Sequence, residues 1–275
     1  MSNTQDIKQV ETTENLKDKE LIRLIEAIRD GDSRTFIELI DKGVDVNDKA
    51  TIIVNPISEA PIDEVISARG FHDIRPTRYP TLDTSEESCV MTPLMMAVSR
   101  GNLNFVKVLV EVGAEVKDDF ILVAVEDHNH ELIKFLIDAG ANINAQDEYG
   151  NSALRIAISR EDEHIAALLI KKGADVNLKD DRGYSPLWLA ASYDYFHIVE
   201  LLLENGADIN SQNHDGDSAL HAAAKMGRRW IVQLLIKNGA NVNLRNNFGE
   251  TPSSLAFLDN HEAIANYLRA IGEQR

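Results

Sequence analysis

The sequence predicts an all-α solenoid of about seven helix–turn–helix units with β-turn tips. Three observations predict it. Glycines recur at Gly150, Gly183, Gly216 and Gly249, and again at Gly140, Gly173, Gly206, Gly239 and Gly272, every step being 33 residues. The text between them repeats as well: GNSALRIA, GYSPLWLA, GDSALHAA and GETPSSLA open at the first series, while ANIN, ADVN, ADIN and ANVN follow the second. Hydrophobic residues make up 44% of the chain, enough for a packed core. A fixed period of this size marks an array in which one unit cannot bury its apolar face alone, so stacked neighbours share the core.

Each element of a unit follows from its residues. The first glycine series sits among mostly polar residues and suits a tight turn. Ser152, Ser185, Ser218 and Thr251 come two residues later, where a hydroxyl caps a helix. Pro186 and Pro252 then occupy the first helical position, where a missing N–H costs nothing. Small residues on the first helix, Ala157, Ala190 and Ala223, let the second approach closely. The second helix is apolar at helical spacing: Ile165, Leu168 and Leu169 in one copy, Ile198, Leu201 and Leu202 in the next. It stops at Gly173, Gly206 or Gly239, which fit a left-handed cap.

These motifs resemble the ankyrin repeat. MTPLMMA at Met91–Ala97, SPLWLA at Ser185–Ala190 and SALHAA at Ser218–Ala223 are similar to that family's helix-opening motif, and the GADVN endings match too. Carried backwards, the phase makes Gly113 and Gly43 helix ends. The expected organisation is a tail at 1–17, a first capping repeat at 18–50, an insertion at 51–89, and repeats at 90–118, 119–147, 148–180, 181–213, 214–246 and 247–275. Gly43 to Gly113 spans 70 residues, one regular step plus 37, and the surplus falls in the insertion. That segment holds four of the seven prolines, and Pro61 is expected to open a short helix. Gly113 to Gly140 spans only 27 residues, so the third repeat lacks six at its turn. The insertion is expected to fold over the notch this leaves, with a surface loop as the alternative.

Composition narrows the function. The chain carries 45 acidic and 28 basic side chains, a net charge of −17. Residues 1–213 hold a net −18 and residues 214–275 a net +1. Such acidity disfavours binding to nucleic acid or to an anionic membrane. The one cysteine, Cys89, cannot form an internal disulfide. No run approaches the length of a membrane helix, and the N-terminal residues lack the apolar core of a signal peptide. A cytoplasmic monomer is expected.

No catalytic constellation stands out. Cys89 sits in SEESCV, whose negative charges raise a thiol pKa rather than lower it. Among the scattered histidines only Asp127–Glu131, DHNHE, looks like a ligand cluster, at a helix link where polar residues are expected anyway. His221 falls at the histidine of the family motif, which the resemblance assigns a structural hydrogen-bonding role. No phosphate-binding glycine loop or dinucleotide fingerprint is present. The expectation is a non-enzyme without cofactor or metal.

What remains is a surface. The resemblance implies that turn tips and inner helices form a groove for partners. Projecting the period places Glu148, Tyr149, Asn151, Asp181, Arg182, Tyr184, His214, Asp215, Asp217, Asn247, Phe248 and Glu250 on the tips. It places Arg160, Trp188, Ser192, Tyr193, Lys225 and Met226 on the inner helices. Of these, Tyr149, Arg160, Arg182, Tyr184, Trp188, Tyr193, Lys225, Met226 and Phe248 are the candidate partner-binding residues, because aromatic and arginine side chains dominate binding hot spots. The alternative for Trp188 is packing between repeats. Arg228, Arg229 and Trp230 read as a solvated bend with one packed indole. The function expected is a protein-interaction module, with a stoichiometric inhibitor or immunity protein blocking a basic enzyme as the alternative. The acidity favours a basic partner in either case.

Overall fold

The computed structural model describes residues 19–53 and 88–273, and the chain divides into two compact units, residues 1–141 and 142–275. In the first unit, helices α1 (19–30) and α2 (Ser33–Asp41) lead to strands β1 (Ala50–Ile53) and β2 (Ser88–Met91). Helices α3 (Pro93–Ser99), α4 (Leu103–Glu111), α5 (Phe120–Glu126) and α6 (His130–Asp138) follow. The second unit is four helix pairs. These are α7 (Ala153–Ser159) with α8 (Glu163–Lys171), α9 (Pro186–Tyr193) with α10 (Phe196–Glu204), α11 (Ala219–Lys225) with α12 (Arg229–Lys237), and α13 (Pro252–Leu258) with α14 (Glu262–Gly272). Among the described residues no helix is long and apolar enough to cross a membrane.

The helices begin where the caps are. Thr92, Ser152, Ser185, Ser218 and Thr251 take extended backbone, and each hydroxyl accepts the backbone N–H three residues on. Pro93, Pro186 and Pro252 sit in the first turn. In the second unit α7, α9, α11 and α13 pack side by side as an inner layer, with α8, α10 and α12 as an outer one. Ala157, Ala190, Ala223 and Ala256 are fully buried in the inner layer, and Ile165, Leu169, Ile198, Leu202, Ile231 and Leu235 bury the outer one. Outer helices end at Gly173, Gly206 and Gly239, all with positive φ. Gly272 departs from its series: it is the last residue of α14, which runs to 11 residues where α8, α10 and α12 have 9.

An asparagine bridge shows how the insertion is accommodated. Asn177 accepts the Asp208 N–H, 31 residues on, and donates to the Gly206 carbonyl, 29 residues on. Asn47 makes the same two bonds to Glu115 and Gly113, at separations of 68 and 66. Both separations exceed the regular ones by the surplus of 37 seen in the glycine spacing. The join between these repeats therefore keeps the regular bonds despite the surplus.

The loop leaves through the turn tip. Gln146 pairs with Ser152, and Gln212 with Ser218, as isolated antiparallel bridges at the base of regular tips. Lys49 and Thr92 are the equivalent residues, and the β1–β2 ladder starts one step beyond them, from Ala50↔Met91 to Ile53↔Ser88. The tip at this place is thus extended by a short ladder, which adds two strands to the otherwise helical described residues. The tail at 1–17, the helix expected after Pro61 and the packing of the insertion over the third repeat fall on or depend on residues outside those described. The shortened third repeat is visible: α5 starts seven residues after Gly113, where α7 starts thirteen after Gly140. Its N-cap, Asp119, makes no side-chain cap bond.

Candidate functional site

The tips of the second unit are rigid by construction. Asp147, Asp180, Asn213 and Asn246 recur at steps of 33, and each Oδ1 accepts the backbone N–H groups two and four residues on. Short side chains bonding their own backbone in this way close a turn. Successive tips are also joined: the N–H of Asp181 donates to the Tyr149 carbonyl at 3.3 Å, that of His214 to Arg182 at 3.2 Å, and that of Asn247 to Asp215 at 2.9 Å. Tyr149, Arg182, Asp215 and Phe248 hold one equivalent position on four joined tips, so their side chains form a row. Tyr149 is 45% and Phe248 72% exposed, with Arg182 also exposed.

A second row lies at the other end of the inner helices, roughly 12 Å away at 1.5 Å per residue. Arg160, Tyr193, Met226 and Asp259 are equivalent there. Arg160, Lys225 and Met226 are exposed, while Tyr193 is half-buried against Tyr195, ring centroids 5.6 Å apart. Tyr184 and Trp188 stack at 4.1 Å and are both half-buried. The nine candidate residues thus divide into a tip group, an inner-helix end group and the Tyr184–Trp188 stack.

Three projected positions are corrected. Asn151 is buried, its amide donating to Asp147, because the turn folds back on itself. Ser192 is buried, its hydroxyl donating to Leu189 and its carbonyl accepting Arg228 Nε. Trp230 is not packed: it is 66% exposed in the first turn of α12, with the Arg229 guanidinium 5.8 Å from its ring.

One motif position is occupied in four ways. Arg155, Trp188, His221 and Ser254 are equivalent; Arg155 and His221 reach the following repeat, while Ser254 lies in the last one. Arg155 Nε donates to the Asp180 carboxylate at 2.9 Å, both residues buried. Ser254 closes a capping box with Thr251. The Trp188 indole N–H is buried and meets no acceptor among the described residues. Sequence reasoning missed the Arg155–Asp180 pair. The available signal was an arginine at a motif position that is histidine at His221.

His221 lies fully buried. Its Nδ1 accepts the Ser218 N–H at 3.1 Å, so the ring proton sits on Nε2 and donates to the Glu250 carbonyl at 3.2 Å. Burial holds its pKa below the ordinary 6.5, outweighing the Asp217 carboxylate, which pulls the other way. Protonation would also remove the acceptor that Ser218 uses. With a depressed folded pKa, the unfolded chain binds more protons as pH falls below 6.5, so the stability His221 contributes is present above that pH and lost as pH drops through the folded pKa. Urea midpoints of the full chain are expected to fall more steeply from pH 7.5 to 5 than those of His221→Leu. Equal slopes would remove His221 as the cause.

Among the described residues no group of three His, Cys, Asp or Glu could hold a metal ion. In the DHNHE segment His130 Nδ1 meets the His128 carbonyl, and Asn129 caps α6. A family model described as ankyrin repeats (three copies) matches residues 121–213 and 207–274, and an ankyrin repeat model matches residues 91–119. No curated protein matches the chain.

Proposed function

The chain belongs to the ankyrin-repeat family, and on that ground we propose that it is a non-enzymatic module that grips a protein partner by the tips and inner helices of residues 142–275. Ankyrin repeats are in general protein–protein interaction modules. The observation that carries the reading here is the tip row. Tyr149, Arg182 and Phe248 are exposed side chains on a backbone already fixed by turn bonds and tip-to-tip bonds. A preorganised surface loses little entropy on binding, and aromatic and arginine anchors supply most of the energy where they are desolvated.

The test compares the full chain with Tyr149→Ala/Arg182→Ala/Phe248→Ala as bait, followed by titration of any stoichiometric partner. Loss of hot-spot contacts is expected to weaken binding by about thirtyfold or more, at roughly 2 kcal/mol. Thermal stability should stay nearly unchanged, because none of the three side chains is buried. A partner held equally by both baits would overturn the tip row as the site.

A further inference from the structure

Repeat six is the electrostatic exception in this chain. Between Asp217 and Glu250, 32 residues hold five basic side chains and no acidic one, in a chain of net charge −17. Three of the five, Lys225, Arg228 and Arg229, fall within five residues at the bend between α11 and α12. Arg228 is engaged within the fold through Ser192 and Asp194. Lys225 and Arg229 are exposed, and neither makes an ion pair among the described residues.

The same bend exposes apolar surface. Met226 is 47% and Trp230 66% exposed. Leu258, 63% exposed, ends α13, the inner helix packed beside α11. The two bends adjoin: the His261 ring, at the start of α14, lies against Gly227, so close that a Cβ there would sit 2.5 Å from it. Large exposed apolar side chains gathered among cations mark an interaction surface.

Local choices at this bend also run against helix stability. Outer helices α2, α4, α6 and α8 begin with Asp32, Asn102, Asn129 and Asp162, whose side chains cap backbone N–H groups. Helices α10, α12 and α14 begin instead with Tyr195, Arg228 and His261, without a cap bond, and of these three α12 alone starts with two arginines, Arg228 and Arg229. Positive side chains at the positive end of a helix dipole are unfavourable. Sites where local rules are broken are where function is expected.

We propose that the bend of repeats six and seven is a second docking surface, taking a short acidic peptide segment that carries an aromatic or aliphatic anchor. Carboxylates pair with Lys225 and Arg229, and the anchor packs on Met226, Trp230 and Leu258. Charge complementarity selects the sign. Length selects a short segment: a polynucleotide extending past this one bend would meet the acidity that the rest of the chain carries. The surface shares Lys225 and Met226 with the inner-helix end group but not the tip row, from which it is separated by the length of an inner helix.

The experiment selects a random dodecapeptide library on the immobilised full chain at physiological salt. Enriched peptides are expected to combine carboxylates with an aromatic or aliphatic residue, and to bind at least about tenfold more weakly to Lys225→Glu/Arg229→Glu and to Trp230→Ala. They should bind Tyr149→Ala/Phe248→Ala as they bind the parent chain, which separates this surface from the tip row. Arg229→Glu alone places a carboxylate at the helix start, so it too should weaken binding while its thermal midpoint holds or rises, which excludes unfolding as the cause. The chain has two tryptophans, so in Trp188→Phe the fluorescence of Trp230 alone should respond to the peptide. Neutral or basic enriched peptides, no enrichment, or peptides indifferent to Lys225, Arg229 and Trp230 would overturn the proposal. So would an oligothymidylate that binds through those residues.

Discussion

Replacing Arg155 by leucine is expected to lower the stability of the 142–275 unit by about 3–5 kcal/mol, the usual cost of stripping one member from a buried ion pair. The substitution leaves the Asp180 carboxylate inside the join between repeats, with Oδ2 deprived of the Arg155 Nε bond at 2.9 Å. Its other oxygen still accepts from Arg182 and Tyr184 and so keeps the tip closed. The damage should therefore be electrostatic, confined to this join. Asp180→Asn should also be costly, because it leaves the guanidinium buried without a counter-charge. The double change Arg155→His/Asp180→Asn installs the neutral side chains found at the equivalent positions His221 and Asn246, where the histidine donates to the carbonyl of Glu250 rather than to a carboxylate. It should recover most of the loss, since a buried ion pair replaced by a well-fitted neutral set is often neutral in stability. Urea unfolding of the parent chain, Arg155→His, Asp180→Asn and Arg155→His/Asp180→Asn closes a double-mutant cycle. Single variants costing less than about 1 kcal/mol would show that this pair contributes no more than an exposed one.

Gly216→Ala is expected to cost about 2–5 kcal/mol, against about 1–2 kcal/mol for Gly249→Ala. The two glycines share a conformation, with φ of 81° and 78°. Left-handed backbone carries the smaller penalty for any residue with a Cβ, and both variants suffer it. Only Gly216 meets a second obstacle: a Cβ there would lie 2.6 Å from the Asn247 backbone nitrogen, whereas nothing lies within 4 Å at Gly249. That nitrogen donates to Asp215, so it cannot retreat without breaking the tip-to-tip bond. Thermal denaturation of both variants would read the difference directly. Equal losses would mean that the tips part easily, and the row of Tyr149, Arg182, Asp215 and Phe248 would not be preorganised.

The two proposed surfaces place opposite demands on the chain. The tip row rests on bonds that satisfy every local rule, so its residues can be truncated without loss of fold. The bend of repeat six keeps cations where a helix start favours anions. A stabilised variant with less binding there would be the signature of a site retained at some expense to the helix.

The period, the caps and the helix ends were determined by the sequence itself. Their causes lie within a few residues: Ser218 caps the N–H of His221 three positions on, and Asn213 closes a turn two and four positions on. Short-range bonds of this kind repeat whenever the text repeats. The excess of 37 residues was legible for the same reason, because the flanking repeats kept their phase. What only the tertiary structure decided is how equivalent positions differ. Arg155, Trp188, His221 and Ser254 share a register, yet one finds a carboxylate 25 residues away, one a carbonyl 29 away, one a neighbour in its own cap, and one no acceptor among the described residues. Trp230 was expected inside and lies outside, while Asn151 and Ser192 were expected outside and lie inside. Periodicity says which residues correspond; burial depends on the atoms the next repeat brings against each one, and those atoms are chosen by a different stretch of chain.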